Sequence, residues 1–150
     1  MNFGLVTLGC SKNRVDSEML LGVFKDYGFN IVNDPAEADV IAVNTCGFIE
    51  SAKKEAIDTI LEMADYKEYG RCKTLIVTGC LAKRYKNEIL ESMPEVDLCI
   101  GVDEYSNIDT ILSNYFNQKC LNHGLNFSNR MISSKFPLAY IRISDGCDNR

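Results

Sequence analysis

The chain has one histidine (His123), no CxxC pair, and no apolar run approaching the ~18 residues that read as a membrane span. The missing CxxC means that any cysteine-based metal site must be assembled from distant parts of the chain. The N-terminus, MNFGLVTLGCSKN, has neither a basic leader nor a long apolar core, which excludes a secretory signal in this stretch. These absences predict a cytoplasmic chain with no membrane partner. No internal repeat suggests a solenoid. An excess of positive charge is also lacking: the net charge is −5 and the pI about 4.9. That argues weakly against a phosphate-backbone footprint, while leaving room for a local basic patch.

Seven cysteines are present. The cytosol keeps thiols reduced, and an odd count leaves one unpaired in any disulfide scheme. They are therefore buried fillers or metal ligands. At 150 residues, 46% apolar and 25% charged, the chain is long enough to bury a core without disulfides.

Phe3–Leu8 reads as a strand ending at Gly9. Arg14–Tyr27 carries Val15, Met19, Leu20, Val23, Phe24 and Tyr27 at helical spacing, with Gly28 as the stop. Asn30–Val32 is a short strand, and Asp39–Asn44 (DVIAVN) a buried one. A helix over Ile49–Ala64, a strand over Lys73–Thr78 and a helix over Leu81–Met93 follow. A strand over Asp97–Val102 and a helix over Tyr105–Phe116 complete the pattern. This alternation predicts a doubly wound, flavodoxin-like α/β fold: a parallel sheet with helices on both faces. The expected domain is 1–118 and the Asn- and Ser-rich stretch 119–136 a linker. Residues 137–150 read as the start of a second, truncated domain whose first strand is Leu138–Ser144.

Three cysteines occupy one topological position. Cys10, Cys46 and Cys80 each follow a predicted strand and open a loop into a helix, in the contexts LGC, NTC and TGC. All strand carboxyl ends of a parallel sheet lie on one edge, where such folds bind ligands. Gly9 and Gly79 let the backbone bend closely around a bulky group. Helix N-termini just beyond favour thiolates and an anionic cluster. The donor set suits an iron–sulfur cluster with one iron left open, or a zinc ion with a fourth ligand. Three buried core thiols are the plain alternative.

LGCSKNRVDSE (Leu8–Glu18), NTCGFIESAKKEAID (Asn44–Asp58) and TGCLAKRY (Thr78–Tyr85) resemble the radical S-adenosylmethionine methylthiotransferase family. SDGCDNR (Ser144–Arg150) resembles the opening of that family's CxxxCxxC motif. The resemblance implies an auxiliary 4Fe-4S cluster on Cys10, Cys46 and Cys80. It also implies a second 4Fe-4S cluster, which binds and cleaves S-adenosylmethionine and takes Cys147 as its first ligand. A full-length enzyme would hold both clusters, this chain at most one. With Cys147 alone from that motif, the chain by itself is expected to be inactive. The missing domain is expected as a separate chain in trans or as a part not included here.

LGCSKN and NTCGFIESAKKEAI are most similar to the branch that modifies an aspartate of a small-subunit ribosomal protein. The tRNA adenosine branch is the alternative within the family. A non-catalytic metal-binding or electron-carrying module is the alternative outside it. Cys99 reads as a core residue, Cys72 and Cys120 as incidental, and His123 as a linker residue. Lys12, Asn13 and Arg14 either screen cluster charge or touch the substrate, or form a solvated loop and helix start. Asn44 and Thr45 either bond cluster sulfurs or end a strand. Asp16, Ser17 and Glu18 either contact a partner or complement the helix dipole. Lys83, Arg84 and Lys86 read as a solvated face.

Overall fold

The computed structural model describes residues 1–47, 49–118, 125, 129–134 and 137–141. Five strands, β1 (Asn2–Thr7), β2 (Asn30–Val32), β3 (Val40–Thr45), β4 (Thr74–Gly79) and β5 (Leu98–Gly101), form one sheet. All pairings are parallel and the order is β2-β1-β3-β4-β5. Helices α1 (Ser11–Asp26), α2 (Glu50–Tyr69), α3 (Cys80–Ser92) and α4 (Ile108–Phe116) connect or flank the strands. This is the doubly wound order expected from the alternation.

The central strands β3 and β4 are buried along their whole length, which is why their sequences are apolar without alternation. Their side chains still divide by face. Ile41, Val43, Leu75 and Val77 pack with Ala56, Ile60 and Leu81 of α2 and α3. Val40, Ala42 and Ile76 pack with Phe3, Phe24, Ile108 and Leu112 on the α1 and α4 side. Phe3 and Phe24 stack with ring centroids 3.7 Å apart. No helix among the described residues is long and apolar enough to cross a membrane.

Helix α4 begins at Ile108 and not at Tyr105, because Val102–Asn107 form a 3-10 segment, and α1 and α2 are longer than the pattern reading. Helix α1 begins at Ser11, with Cys10 as its N-cap, three residues before the expected start at Arg14. Helix α2 runs on to Tyr69 and stops at Gly70. In both, helical backbone continues through polar residues that carry no periodic signal. Leu138–Ile141 have no strand pairing, since a lone strand needs a neighbour. The rest of that expected strand, with Cys147, lies outside the described residues. So do Cys120 and His123.

Residues 129–134, within the stretch expected as a linker, pack along α1. The Met131 N–H donates to the Glu18 carbonyl at 3.0 Å, and the Asn129 amide donates to the Asp26 carboxylate. Glu18 is fully buried beneath this strap. Its Oε1 accepts from the backbone N–H and the hydroxyl of Ser133, each at 2.8 Å. Its Oε2 accepts from Arg130 Nε at 2.7 Å and Nη2 at 2.6 Å. Gly22 permits the close approach: a Cβ there would stand 1.9 Å from the Asn129 carbonyl oxygen.

Burial pushes the Glu18 carboxyl up. The bonds from Ser133 and the Arg130 guanidinium outweigh that and hold it below the usual carboxylate range. A depressed folded-state value stabilises above the unfolded value of about 4.5 and is lost as pH falls through the folded one. The strap is therefore expected to stay closed at neutral pH and to loosen in acid. Amide exchange at Met131 and Ser133, compared with α1 core amides at pH ~6 and ~3.5, reads this directly. Equal protection at the two pH values would show that Glu18 does not hold the strap.

Candidate metal centre

The register brings the three cysteine loops to one edge. Thr7 pairs with Asn44, Asn44 with Thr78, and Thr45 with Gly79. Cys46 and Cys80 are the next residues after that last pair, and Cys10 lies three beyond Thr7. All three sit at the carboxyl ends of adjacent strands. Cys10 and Cys46 flank the point where the connections from β1 and β3 diverge, the place where such sheets bind ligands. Cys10 caps α1 and Cys80 opens α3. Two helix N-termini, each favouring negative charge, thus adjoin the edge.

Two glycines set the closeness of these loops. Gly9 has φ +89°, and a Cβ on it would lie 2.6 Å from Cys46 Cβ and 3.3 Å from Cys46 Sγ. Gly79 has φ +103°, and its Cβ would lie 2.3 Å from the Thr45 carbonyl oxygen. A side chain at either position would collide with the neighbouring segment that carries Cys46.

Beneath the cysteines lies a polar network. Buried Asn13 donates to the carbonyls of Leu8 at 2.9 Å and Thr45 at 3.1 Å. Asn44 donates to the Asn13 carbonyl and to Ser17 Oγ, both at 2.9 Å. Thr7 Oγ1 donates to Ser17 Oγ at 2.7 Å, and Thr45 Oγ1 to the Thr78 carbonyl at 2.5 Å. The network ties the β1–α1 loop to the ends of β3 and β4. Asn13 is thus a brace and not a solvated loop residue. Asp16, Ser17 and Glu18 are likewise buried. Sequence reasoning missed this because buried polar residues look like surface ones without their partners. The signal available for Asn13, Asp16 and Ser17 was their spacing of seven, four and three residues before the buried Leu20, on its face of the helix.

Cys10 is exposed, and Cys46 and Cys80 are half-buried. Burial pushes the Cys80 thiol up, Lys12 draws it down, and the nearby Cys46 and Cys10 push it up again. Cys46 and Cys10 therefore both lie within electrostatic reach of Cys80. Cys99 and Cys72 behave otherwise. Burial raises Cys99 to about 11 and also raises Cys72, whose Sγ donates to the Thr74 carbonyl. Both are core residues remote from the edge. Lys83 and Arg84 are exposed and, with Gly47, Cys80 and Val102, line a cleft of about 340 Å³. Lys86 pairs with Glu104 at 2.7 Å.

No group of three His, Cys, Asp or Glu among the described residues is drawn tightly enough to hold a single ion. Thiolates sharing one zinc would each stand about 2.3 Å from it. Three thiol donors brought to one sheet edge are the soft donor set that an iron–sulfur cluster or a zinc ion takes.

Residues 2–101 match the model of a family described as "Uncharacterized protein family UPF0004". The chain belongs to this family. Its matched stretch contains Cys10, Cys46 and Cys80 and the whole sheet. The ribosomal protein uS12 methylthiotransferase RimO of Clostridium novyi is 51% identical over 153 residues, covering 97% of this chain and 34% of that protein. The protein of the same name in Clostridium acetobutylicum is 52% identical over 157 residues, covering 99% and 35%. That of Acetivibrio thermocellus is 48% identical over 161 residues, covering 98% and 35%. The chain thus spans about a third of the length of the curated relatives it matches. UPF0004 membership and these relatives agree with the resemblance carried by the cysteine motifs.

Proposed function

We propose that this chain is the auxiliary-cluster domain of a radical S-adenosylmethionine methylthiotransferase that acts on an aspartate of ribosomal protein uS12. The observation that carries the reading is the convergence of Cys10, Cys46 and Cys80 on one sheet edge, in a chain about half identical to RimO proteins. Enzymes of this kind use 4Fe-4S clusters and S-adenosylmethionine.

In this reading Cys10, Cys46 and Cys80 hold the auxiliary cluster. Gly9 and Gly79 let the cysteine loops pack closely, and Asn13 and Asn44 fix the spacing of the loops. A cluster held by three thiolates supplies an iron with a free coordination position. Cys147 is the first ligand of the second cluster. The reading places the protein in the cytoplasm, where ribosomal proteins are met. The relatives above are named for a ribosomal protein, which favours that substrate over a tRNA adenosine.

The test uses the full-length protein containing this chain, reconstituted with iron and sulfide under anaerobic reducing conditions. With S-adenosylmethionine present, uS12 is expected to gain the mass of a methylthio group on an aspartate, while tRNA stays unmodified. Modification of tRNA and not of uS12 would move the protein to the other branch. Modification of neither, with both clusters present, would overturn the enzymatic reading.

A further inference from the structure

The strap over Glu18 reaches the metal-centre edge through one side chain. Arg130 Nη2 donates to Glu18 Oε2 and also to the carbonyl of Tyr140 at 2.5 Å. The Tyr140 ring lies under the Arg14 guanidinium, 5.7 Å from carbon to centroid. Tyr140, Arg14, Ser11, Cys10, Gly9 and Thr7 together line a polar cleft of about 300 Å³. Contacts thus run from Glu18 through Arg130 and Tyr140 to the open side of Cys10. The carboxylate at their start is fully buried, and both its oxygens are committed to the strap.

We propose that Glu18 is a positioning residue for the Cys10 side of the site. By holding Arg130 it fixes the Tyr140 ring as the outer wall of the cleft, and that wall limits the size of what reaches Cys10. A small molecule passes, since Cys10 is exposed; a bulky one meets the ring. The wall is the aromatic face, so the Tyr140 hydroxyl is dispensable. Arg130 carries the coupling, because its guanidinium binds Glu18 and the Tyr140 backbone at once.

The inference concerns access to Cys10 in the metal-free chain, so its test needs no cluster and can fail independently of the reading above. The 150-residue chain is alkylated with iodoacetamide and, separately, with a bulky fluorescent maleimide, and modification of Cys10 is followed by peptide mass spectrometry. The ratio of the two rates reports steric access, because the thiolate population is common to both reagents.

The bulky-to-small ratio at Cys10 is expected to rise about five-fold in Tyr140→Ala, which removes the ring, and by a similar factor in Glu18→Gln, which weakens the contact that holds Arg130 by about one hydrogen bond. Tyr140→Phe should match the unsubstituted chain. The double variant should not exceed Tyr140→Ala, because both changes remove one wall. General loosening of the fold would raise the ratio at Cys72 and Cys99 as well, so their unchanged values identify a local effect. An unchanged Cys10 ratio in Glu18→Gln, an additive double variant, or a parallel rise at Cys72 and Cys99 would each overturn the proposal.

Discussion

Replacing any one of Cys10, Cys46 and Cys80 with alanine is expected to abolish assembly of the cluster, whereas Cys99→Ala is expected to keep it. The reconstituted chain should carry about four irons, as a 4Fe-4S cluster requires. Each of the three thiols stands at the end of a different strand, so none can take the place of another. Cys99 faces the α2 and α3 core and reaches no part of the edge. Iron counting and Mössbauer spectra on the four variants decide the matter. Iron that persists in Cys10→Ala, Cys46→Ala and Cys80→Ala alike would mean that strand-end convergence is incidental, and the domain would be read as structural.

Gly79→Ala should be the most damaging single methyl addition near the site. The residue has φ +103°, and the new Cβ would stand 2.3 Å from the Thr45 carbonyl oxygen, 2.6 Å from Asn44 Oδ1 and 2.8 Å from the Thr45 nitrogen. Those atoms belong to the strand it pairs with, so relief requires prying β3 from β4 beside Cys46 and Cys80. Backbone strain and overpacking together are expected to cost about 4 kcal/mol. The same change at Gly28, also at positive φ but with nothing within 4 Å, carries the backbone term alone, about 1 kcal/mol. Urea midpoints of the two variants measure the difference directly. Equal losses would show that the clash at Gly79 relaxes without opening the sheet.

The contrast between these glycines also shows what a sequence can carry. Gly9 and Gly79 were legible as bends beside cysteines, because each ends a strand. What they nearly touch was not, since Cys46 and Thr45 are neighbours only through strand pairing. The five strands could be read because DVIAVN and KTLIVT are buried on both faces, and their parallel order followed from the alternation with helices. The three-cysteine edge followed from that order alone. Glu18 was different. Its partners Arg130 and Ser133 lie 112 and 115 positions away, in a stretch with no periodicity. A buried carboxylate and a surface one have the same letter, and only the folded chain tells them apart.

The network of Asn13, Asn44, Ser17 and Thr7 has a consequence for how the protein lives with and without iron. These bonds are made by protein groups alone, and the apolar core lies between the sheet and its helices. The ligand loops are held by the same sheet that folds the domain, unlike those of a zinc finger, which orders only around its metal. If the edge holds the proposed cluster, the fold is therefore expected to outlast the loss of its iron and to keep the shape that takes it back.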